Sequence, residues 1–265
     1  MSKGIDSMMV VSDLHCGGVG ALFPSEFTDS RGNTVLPNPA QEWLWYHFRK
    51  LGEQGLADLP GRRVLLLING DCIEGNHHRT MEITHPREHD HVLIAYKCLA
   101  WLSARCAATI ITEGTECHTK EFEHELARML HAEGGKALPH AHLRIKGWRV
   151  NAAHHIGPTS RAYLEAGGLG IGLGNARLQA SRLGWDAADI YLRGHRHCGG
   201  HYSDGHAQII VTGGWQFLTR HGRKVVTDSV PVPTMATVDF LDTKGGLPRV
   251  TQYKAVPAQS GVIDL

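Results

Sequence analysis

The sequence predicts an α/β fold organised as a single domain around one main core. Its 265 residues are enough for one large domain, and its charged and hydrophobic fractions, 20% and 42%, are ordinary for a globular chain. Short apolar, β-branched segments recur along the chain, and helical patterns separate them, which is typical of α/β proteins. The predicted strands are 8–12, 64–68, 109–112, 148–152, 190–192 and 208–211.

Three segments between these strands have apolar residues at helical spacing. They are 38–56, 91–107 and 120–131, the last with Thr119 as its predicted N-cap. After residue 207 the pattern changes to strands and turns, and 234–241 with 250–254 is predicted as a closing antiparallel pair. The glycine-rich run 167–174 has no strand before it and no G-x-G-x-x-G spacing, so we predict a flexible loop there.

Composition narrows the classes of function. The formal net charge of +1 argues against sequence-independent capture of long nucleic acids. No apolar run approaches the roughly 18 residues that would span a bilayer, so no membrane partner is expected. The six cysteines show no C-x-x-C pair, and the N-terminus does not resemble a signal peptide, so we expect free thiols and a cytoplasmic location. The 19 histidines are spread beside Asp, Glu and Gly, which favours metal binding.

Side chains that can bind metals follow five of the predicted strands. The residues concerned are Asp13 and His15, Asp71, the polar turn 114–118, His154, and the pair His195 and His197. In α/β sheets ligands bind at the carboxyl ends of the strands. A single strand-end histidine is usually structural, but five such strand ends in chain order favour a metal site. Carboxylates with neutral imidazoles suit Mn²⁺, Fe²⁺ or Zn²⁺.

The order D-x-H, G-D-x-x-E-G, a glycine-led polar turn, a strand-end histidine and G-H-x-H resembles the calcineurin-like metallophosphoesterase superfamily. The resemblance spans residues 13–197, about 70% of the chain, and looks closest to short stand-alone members from phages and mobile elements. It implies a four-layer αββα sandwich and two divalent ions. Carried over by motif, it implies that Asp13, His15 and His197 hold the first ion, that His154 and His195 hold the second, and that Asp71 bridges them.

The turn 114–118 departs from the family pattern, which has Gly-Asn-His with the Asn as a metal ligand. In one reading Glu116 replaces the Asn as ligand and His118 supplies the general acid or contacts the phosphate. In the other, Thr115 takes the Asn position and Glu116 only helps to begin the next helix. We prefer Glu116, because an anionic oxygen binds a divalent ion better than a hydroxyl does.

These residues predict hydrolysis of phosphate esters, in which the two cations activate a water and neutralise charge on the phosphate, with Asp71 and His118 as the catalytic residues. The expected substrate is a phosphodiester of a nucleotide or a nucleic-acid end. The alternatives are a phosphomonoesterase and a non-catalytic binding scaffold; a mononuclear zinc hydrolase would leave Asp71 or one histidine unused. Segments 16–39 and 75–90 are predicted as lid loops, and the second supplies candidate substrate contacts at Asn76, His77, His78 and Arg79.

Overall fold

The computed structural model describes residues 4–76, 81–119, 121–156, 165–219 and 231–257. The strands are β1 (Ser7–Val11), β2 (Phe27–Thr28), β3 (Thr34–Val35), β4 (Val64–Asn69), β5 (Ala108–Thr112), β6 (Ala141–Ile145), β7 (Trp148–Ala152), β8 (Ile190–Arg193), β9 (Gly200–Ser203), β10 (Gln208–Val211), β11 (Thr234–Lys244) and β12 (Leu247–Lys254). The helices are α1 (Pro39–Ala57), α2 (Glu88–Ser103), α3 (Glu116–Thr119), α4 (Phe122–Met129) and α5 (Glu165–Arg182), with a 3-10 turn at Glu133–Gly135.

Ten of these strands form two five-stranded sheets. The first has the order β12-β11-β1-β4-β5 and the second the order β6-β7-β8-β10-β9. In the first sheet β1, β4 and β5 are parallel, and in the second sheet so are β7, β8 and β10. The other four strands, β6, β9, β11 and β12, pair antiparallel, including the predicted closing pair of β11 and β12. In each sheet, therefore, the carboxyl ends of three parallel strands lie at the same edge.

The two sheets pack face to face. Because side chains alternate along each strand, each sheet has one face toward the other sheet and one face toward the helices. Met8 and Val10 of β1 share a buried cluster with Leu192 and Ile210 of the second sheet. Met9, on the opposite face of β1, belongs to a cluster formed with residues of α1, α2 and α4. Helix α5 covers the outer face of the second sheet. The predicted α/β class and its four αββα layers are confirmed.

Helix α1 begins where the sequence provides a capping box. The Asn38 side chain accepts a hydrogen bond from the backbone N–H of Gln41 at 3.0 Å, and the Gln41 side chain accepts from the N–H of Asn38 at 3.0 Å. Pro39 at the first helical position has the backbone torsion that a helix needs. Gln41 is buried and also donates to the carbonyl of Gly18 at 3.1 Å, so this cap ties the helix to the segment that follows β1.

The predicted flexible loop at 167–174 is wrong, because this run forms the first half of α5. Glycine is a poor helix former, but here the absence of side chains lets the helix approach the sheet. A Cβ at Gly172 would lie 3.1 Å from Ile156, and one at Gly170 would lie 3.5 Å from the ring of Tyr202. Close packing outweighs local propensity in this helix.

Segments 16–39 and 75–90 pack against each other. The N–H of Thr84 donates to the carbonyl of Gly17 at 2.7 Å, and that of Val19 donates to Glu82 at 3.0 Å. The first segment also contains the β2–β3 hairpin and several fully buried side chains, among them Leu22, Phe23 and Phe27. These segments are therefore part of the main core over much of their length, and their role as lids stays a prediction.

A carboxylate–imidazole–carboxylate clasp joins the same two segments. His85 lies between Asp29 and Asp90, with Nε2 at 3.2 Å from one carboxylate and Nδ1 at 3.0 Å from the other. Asp90 is fully buried and also accepts from the backbone N–H and the hydroxyl of Ser30, at 2.8 and 3.1 Å. In addition to the His85 ring, five hydrogen-bond donors on Ser30, Arg31 and Asn33 thus converge on the two acidic groups.

All six cysteines are free thiols. Across the described part of the chain, none of the helices is both long enough and apolar enough to cross a membrane.

Candidate metal centre

The carboxyl ends of β1, β4, β7 and β8 meet at one edge of the two packed sheets. Six of the predicted ligands lie in the short loops that follow these strands, and their side chains approach one another. They are Asp13, His15, Asp71, His154, His195 and His197. Backbone hydrogen bonds hold adjacent loops together: the N–H of Asp13 donates to Gly70 and that of His15 donates to Asp71, both at 3.0 Å.

The first half of the cluster contains Asp13, His15 and His197. The Nε2 atoms of the two histidines lie 3.0 Å apart, and Oδ1 of Asp13 lies 3.5 Å from Nε2 of His197. The ligand atoms of all three residues lie within 4.8 Å of one another. Asp13 is fully buried, and its carboxylate also accepts from the N–H of His195, at 3.0 and 3.1 Å from its two oxygens.

The second half is built around Asp71. Nε2 of His154 lies 2.9 Å from Oδ2 of Asp71, and Nε2 of His15 lies 3.9 Å from the same oxygen. Asp71 therefore lies between the two halves of the cluster. His195 forms a further group of possible ligands with His154 and with His155, a neighbour that sequence reasoning missed although it directly follows a predicted ligand.

The turn 114–118 places Thr115, and not Glu116, at the cluster. The N–H of Thr115 donates to Oδ1 of Asp71 at 2.6 Å, and its hydroxyl lies 3.1 Å from Oδ2 of Asp71 and 3.3 Å from Nδ1 of His195. Glu116 is exposed, begins α3 and belongs to none of the groups of possible metal ligands among the described residues. The preferred prediction of Glu116 as a ligand is therefore corrected.

The physical reason for this register is the close approach of the preceding glycine. A Cβ at Gly114 would collide with the backbone N and the Oδ1 atom of Asp71, so only glycine fits there. Its N–H donates to Oε2 of Glu123 at 2.8 Å, and Oε1 of the same carboxylate accepts from the N–H of Cys72 at 3.0 Å. With Gly114 pinned against Asp71, the next residue in the chain must face the cluster.

A second carboxylate, Glu74, supports His15. It is buried, and its Oε2 lies 2.9 Å from Nδ1 of His15 while accepting from the side chain of Gln216 at 2.8 Å. Such a partner orients a metal-binding imidazole and fixes its tautomer. The G-D-x-x-E-G motif contains Glu74, but the motif alone predicts no role for this residue. The three-residue spacing from Asp71 was the signal available.

His118 lies beside this pair. Its Nδ1 is 2.8 Å from the carbonyl oxygen of Glu74, and its ring meets that of His15 edge to face, with centroids 4.8 Å apart. Burial lowers the pKa of His118 to about 4, and the charge on His15 acts in the same direction. The contact of Nδ1 with Glu74 thus fixes the orientation of the His118 ring, which lies next to the first half of the cluster.

Five of the six clustered ligands have a backbone conformation that is rare for residues with side chains. Asp13, His15, Asp71, His195 and His197 have φ between 46° and 71°, and only two other non-glycine residues among those described share this sign. Aspartate and histidine tolerate this left-handed region better than most residue types. Such strain concentrates at functional sites, where the surrounding structure imposes it.

The charge balance of the cluster favours a bound cation. Burial opposes protonation of His154, but the carboxylates of Asp13 and Asp71 outweigh it and raise its pKa to about 10. Burial likewise acts against the charged form of His15, and Glu74 with the same carboxylates raises its pKa to about 9. The buried carboxylates thus require nearby positive charge, and protons and metal ions compete for the same nitrogen atoms.

The residues present therefore fit divalent metal ions. They combine carboxylate oxygens with imidazole nitrogens, on side chains held at short mutual distances by the surrounding backbone. Supporting hydrogen bonds are also in place: Nδ1 of His154 lies 2.8 Å from the carbonyl of Asn69, and the hydroxyl of Ser12 donates to Asp13. Sequence reasoning did not identify Ser12, Asn69 or Glu123, because single polar residues of this kind carry no motif.

Of the four predicted substrate contacts, the structure describes only Asn76. Asn76 is exposed, and its N–H donates to the Glu88 side chain at 3.1 Å, so the structure does not bring it into the cluster. His77, His78 and Arg79 lie outside the described residues.

No protein-family model matches the sequence, and no curated protein matches it. Solved structures with a similar arrangement include Vps29 from Chaetomium thermophilum, at 11% identity and a TM-score of 0.45, covering 96% of this chain and 97% of that one. A zinc complex of Vps29 from Entamoeba histolytica is 13% identical, with a TM-score of 0.43 and coverage of 94% and 98%. A novel archaeal phosphodiesterase is 12% identical, with a TM-score of 0.44 and coverage of 93% and 99%. At these values the likeness supports no conclusion about activity.

Proposed function

We propose that this protein hydrolyses phosphate esters with the help of two divalent metal ions. The observation that carries the proposal is the convergence of two carboxylates and four imidazoles from the ends of four strands, with Asp71 between two groups of ligands. A single-ion site would leave several of these buried side chains without a function.

Asp13, His15 and His197 would hold the first ion, His154 and His195 would hold the second, and Asp71 would be shared between them. Thr115 takes the place that Glu116 had in the preferred prediction, and it acts by fixing the Asp71 carboxylate with two hydrogen bonds. When bound, two such ions supply Lewis acidity that lowers the pKa of a water and neutralises charge on a phosphoryl group.

His118 is the proposed proton donor to the leaving group, and because its pKa is lowered to about 4 its protonated form predominates only in acidic solution. Its Nδ1 lies 2.8 Å from the carbonyl oxygen of Glu74, a contact that orients the ring. This imidazole lies beside His15 at the edge of the first half of the cluster, and its ligand atoms lie within 4.8 Å of those of His15 and Glu74. Protonation of a leaving oxygen by a positioned side chain contributes about 10²–10⁴-fold to rate.

The proposed substrates are phosphodiesters of nucleotides or of nucleic-acid ends. The balanced charge of the chain disfavours long-range capture of polymeric nucleic acid, so small or terminal esters suit it better. The segments 16–39 and 75–90 follow Asp13 and Asp71 directly, and they are joined to each other beside the cluster. Residues on these segments would select the ester group.

The test is hydrolysis of bis-nitrophenyl phosphate by protein supplied with Mn²⁺ or Zn²⁺, before and after chelation. We expect two ions per chain, reversible loss of activity on chelation, and loss of most activity in Asp71→Asn. Arg105→Gln, which changes an exposed residue, serves as the control and should be unaffected. Binding of two ions without turnover of any ester would indicate a non-catalytic scaffold, and full activity with one ion would overturn the two-metal proposal.

The finer substrate assignment is tested by comparing kcat/KM for cyclic nucleotides and short oligonucleotides with kcat/KM for nucleoside monophosphates and nitrophenyl phosphate. A preference for diesters is expected. A clear preference for monoesters would leave the metal centre intact as a proposal but would make the protein a phosphatase.

A further inference from the structure

A cavity of about 390 Å³ lies on the outer face of the second sheet, away from the six clustered ligands. Its lining includes Tyr191 and Arg193 of β8, Ala180 in the last turn of α5, and Leu183 and Trp185 just after that helix. Its volume is in the range of small-molecule sites. Neither the metal centre nor the proposed hydrolysis gives this cavity a function.

Arg193 brings a buried positive charge to the cavity, and only 9% of the residue is exposed. Its guanidinium donates to three neutral oxygens: the carbonyls of Leu192 and Asn151, at 2.8 and 3.2 Å, and Oδ1 of the Asn151 side chain at 2.7 Å. No carboxylate in the described ranges forms an ion pair with it. A buried charge is costly unless an opposite charge accompanies it.

The neighbouring Arg149, unlike Arg193, forms ion pairs with carboxylates. It lies on the adjacent strand β7 and is paired with Asp189 at 3.1 Å and with Asp186 at 3.8 Å. Asp186 also lines the cavity, but its side chain is 71% exposed and engaged with this other arginine. The acidic groups on this side of the sheet are therefore committed elsewhere, and the charge on Arg193 remains available to an anion that enters.

The rest of the lining is suited to an apolar body. Ala180, Leu183 and Ala188 supply aliphatic surface, and the rings of His142 and Trp185 meet edge to face with centroids 5.4 Å apart. Trp185 is 56% exposed, so a flat molecule in the cavity would cover part of a large aromatic ring that otherwise faces water. An apolar pocket with a few fixed polar groups is the usual design of a ligand site.

We propose that this cavity binds a small organic anion, with a carboxylate or phosphate group on Arg193 and a flat apolar body between Leu183 and Trp185. Charge-assisted hydrogen bonds to a guanidinium are among the stronger ones in proteins, and Arg193 matches such groups in geometry. This site is separate from the metal centre, and its test involves no hydrolysis, so either proposal can fail without the other.

The experiment uses two fluorescent probes of similar shape: anilinonaphthalene sulfonate, which is anionic, and phenylnaphthylamine, which is neutral. We expect Arg193→Gln to weaken binding of the anionic probe by about tenfold or more, in line with the loss of a charge-assisted bond, while the neutral probe binds as before. Arg105→Gln removes an exposed arginine and should change neither. Displacement of the anionic probe by benzoate, as opposed to inorganic phosphate, identifies the preferred head group.

Ala180→Leu places a larger side chain in the lining and leaves Arg193 unsubstituted, so it provides a second test if the arginine variant does not fold. We expect this variant to lose binding of both probes while its thermal unfolding stays cooperative. Unchanged binding of the anionic probe in Ala180→Leu, or equal loss of the two probes in folded Arg193→Gln, would overturn the proposal and leave Arg193 as a tie between β7 and β8.

Discussion

Removing the Thr115 hydroxyl tests how the bridging carboxylate is held. Thr115→Val keeps the shape of the side chain but deletes the 3.1 Å hydrogen bond to Oδ2 of Asp71, while the 2.6 Å bond from the backbone N–H remains. A hydrogen bond to a charged group contributes about 1.5–3 kcal/mol, which corresponds to about 10- to 150-fold in affinity. Because Thr115 is only half-buried and water can replace part of the bond, we expect the lower end.

The measurement is calorimetric titration of chelator-treated protein with Mn²⁺ and Zn²⁺. The expected result is weaker binding of one of two ions by about tenfold, with recovery in Thr115→Ser, which keeps the hydroxyl. Glu116→Gln is the matched control at the adjacent, exposed position, and it should change affinity by about twofold or less. If Glu116→Gln weakens an ion and Thr115→Val does not, the register of this turn has been read wrongly.

Three further substitutions test the supporting residues. His118→Ala should lower kcat by about 10²–10⁴-fold on esters with poor leaving groups and much less on nitrophenyl esters, with both ions still bound; an equal loss on both kinds of ester would contradict its role as an acid. Glu74→Gln should weaken one ion by about 10- to 100-fold by loosening His15, as measured by the same titration, and unchanged affinity would remove this positioning role. Asp90→Asn should lower the unfolding temperature by about 2–10 °C because it breaks the clasp between two segments, whereas the exposed Glu42→Gln should not.

Much of the fold could be predicted because its strands have clear boundaries. Strands β1, β4 and β10 each contain a run of three to five apolar residues that ends at a polar residue, and parallel strands covered on both faces have this pattern. The strand ends then indicated which residues would meet at the sheet edge, and the structure brings Asp13, Asp71 and His154 together there. Parallel pairing places the carboxyl ends of these strands at the same sheet edge, which the sequence pattern of a single strand does not show.

The errors share one cause, which is that packing between distant segments decided the outcome. In the turn 114–118, the more acidic residue was chosen on ligand strength, but the fit of Gly114 against Asp71 fixes which side chain faces the cluster. In α5, glycine content favoured a loop, but the sheet accepts a helix there because its glycines permit close approach. Neither contact is visible to local propensity, since each involves residues far apart in the chain.

The left-handed backbone at the ligand positions also restricts what evolution or an engineer can place there. Glycine and asparagine adopt this conformation at little cost, whereas valine, isoleucine and threonine do not. Asp→Asn and His→Asn changes at Asp13, His15, Asp71, His195 and His197 would therefore remove or weaken ligands while the chain still folds, but β-branched replacements would damage the loops themselves. Homologous proteins that have lost the metal ions should then carry asparagine or glycine at these positions, so their sequences would still indicate where the ligands had been.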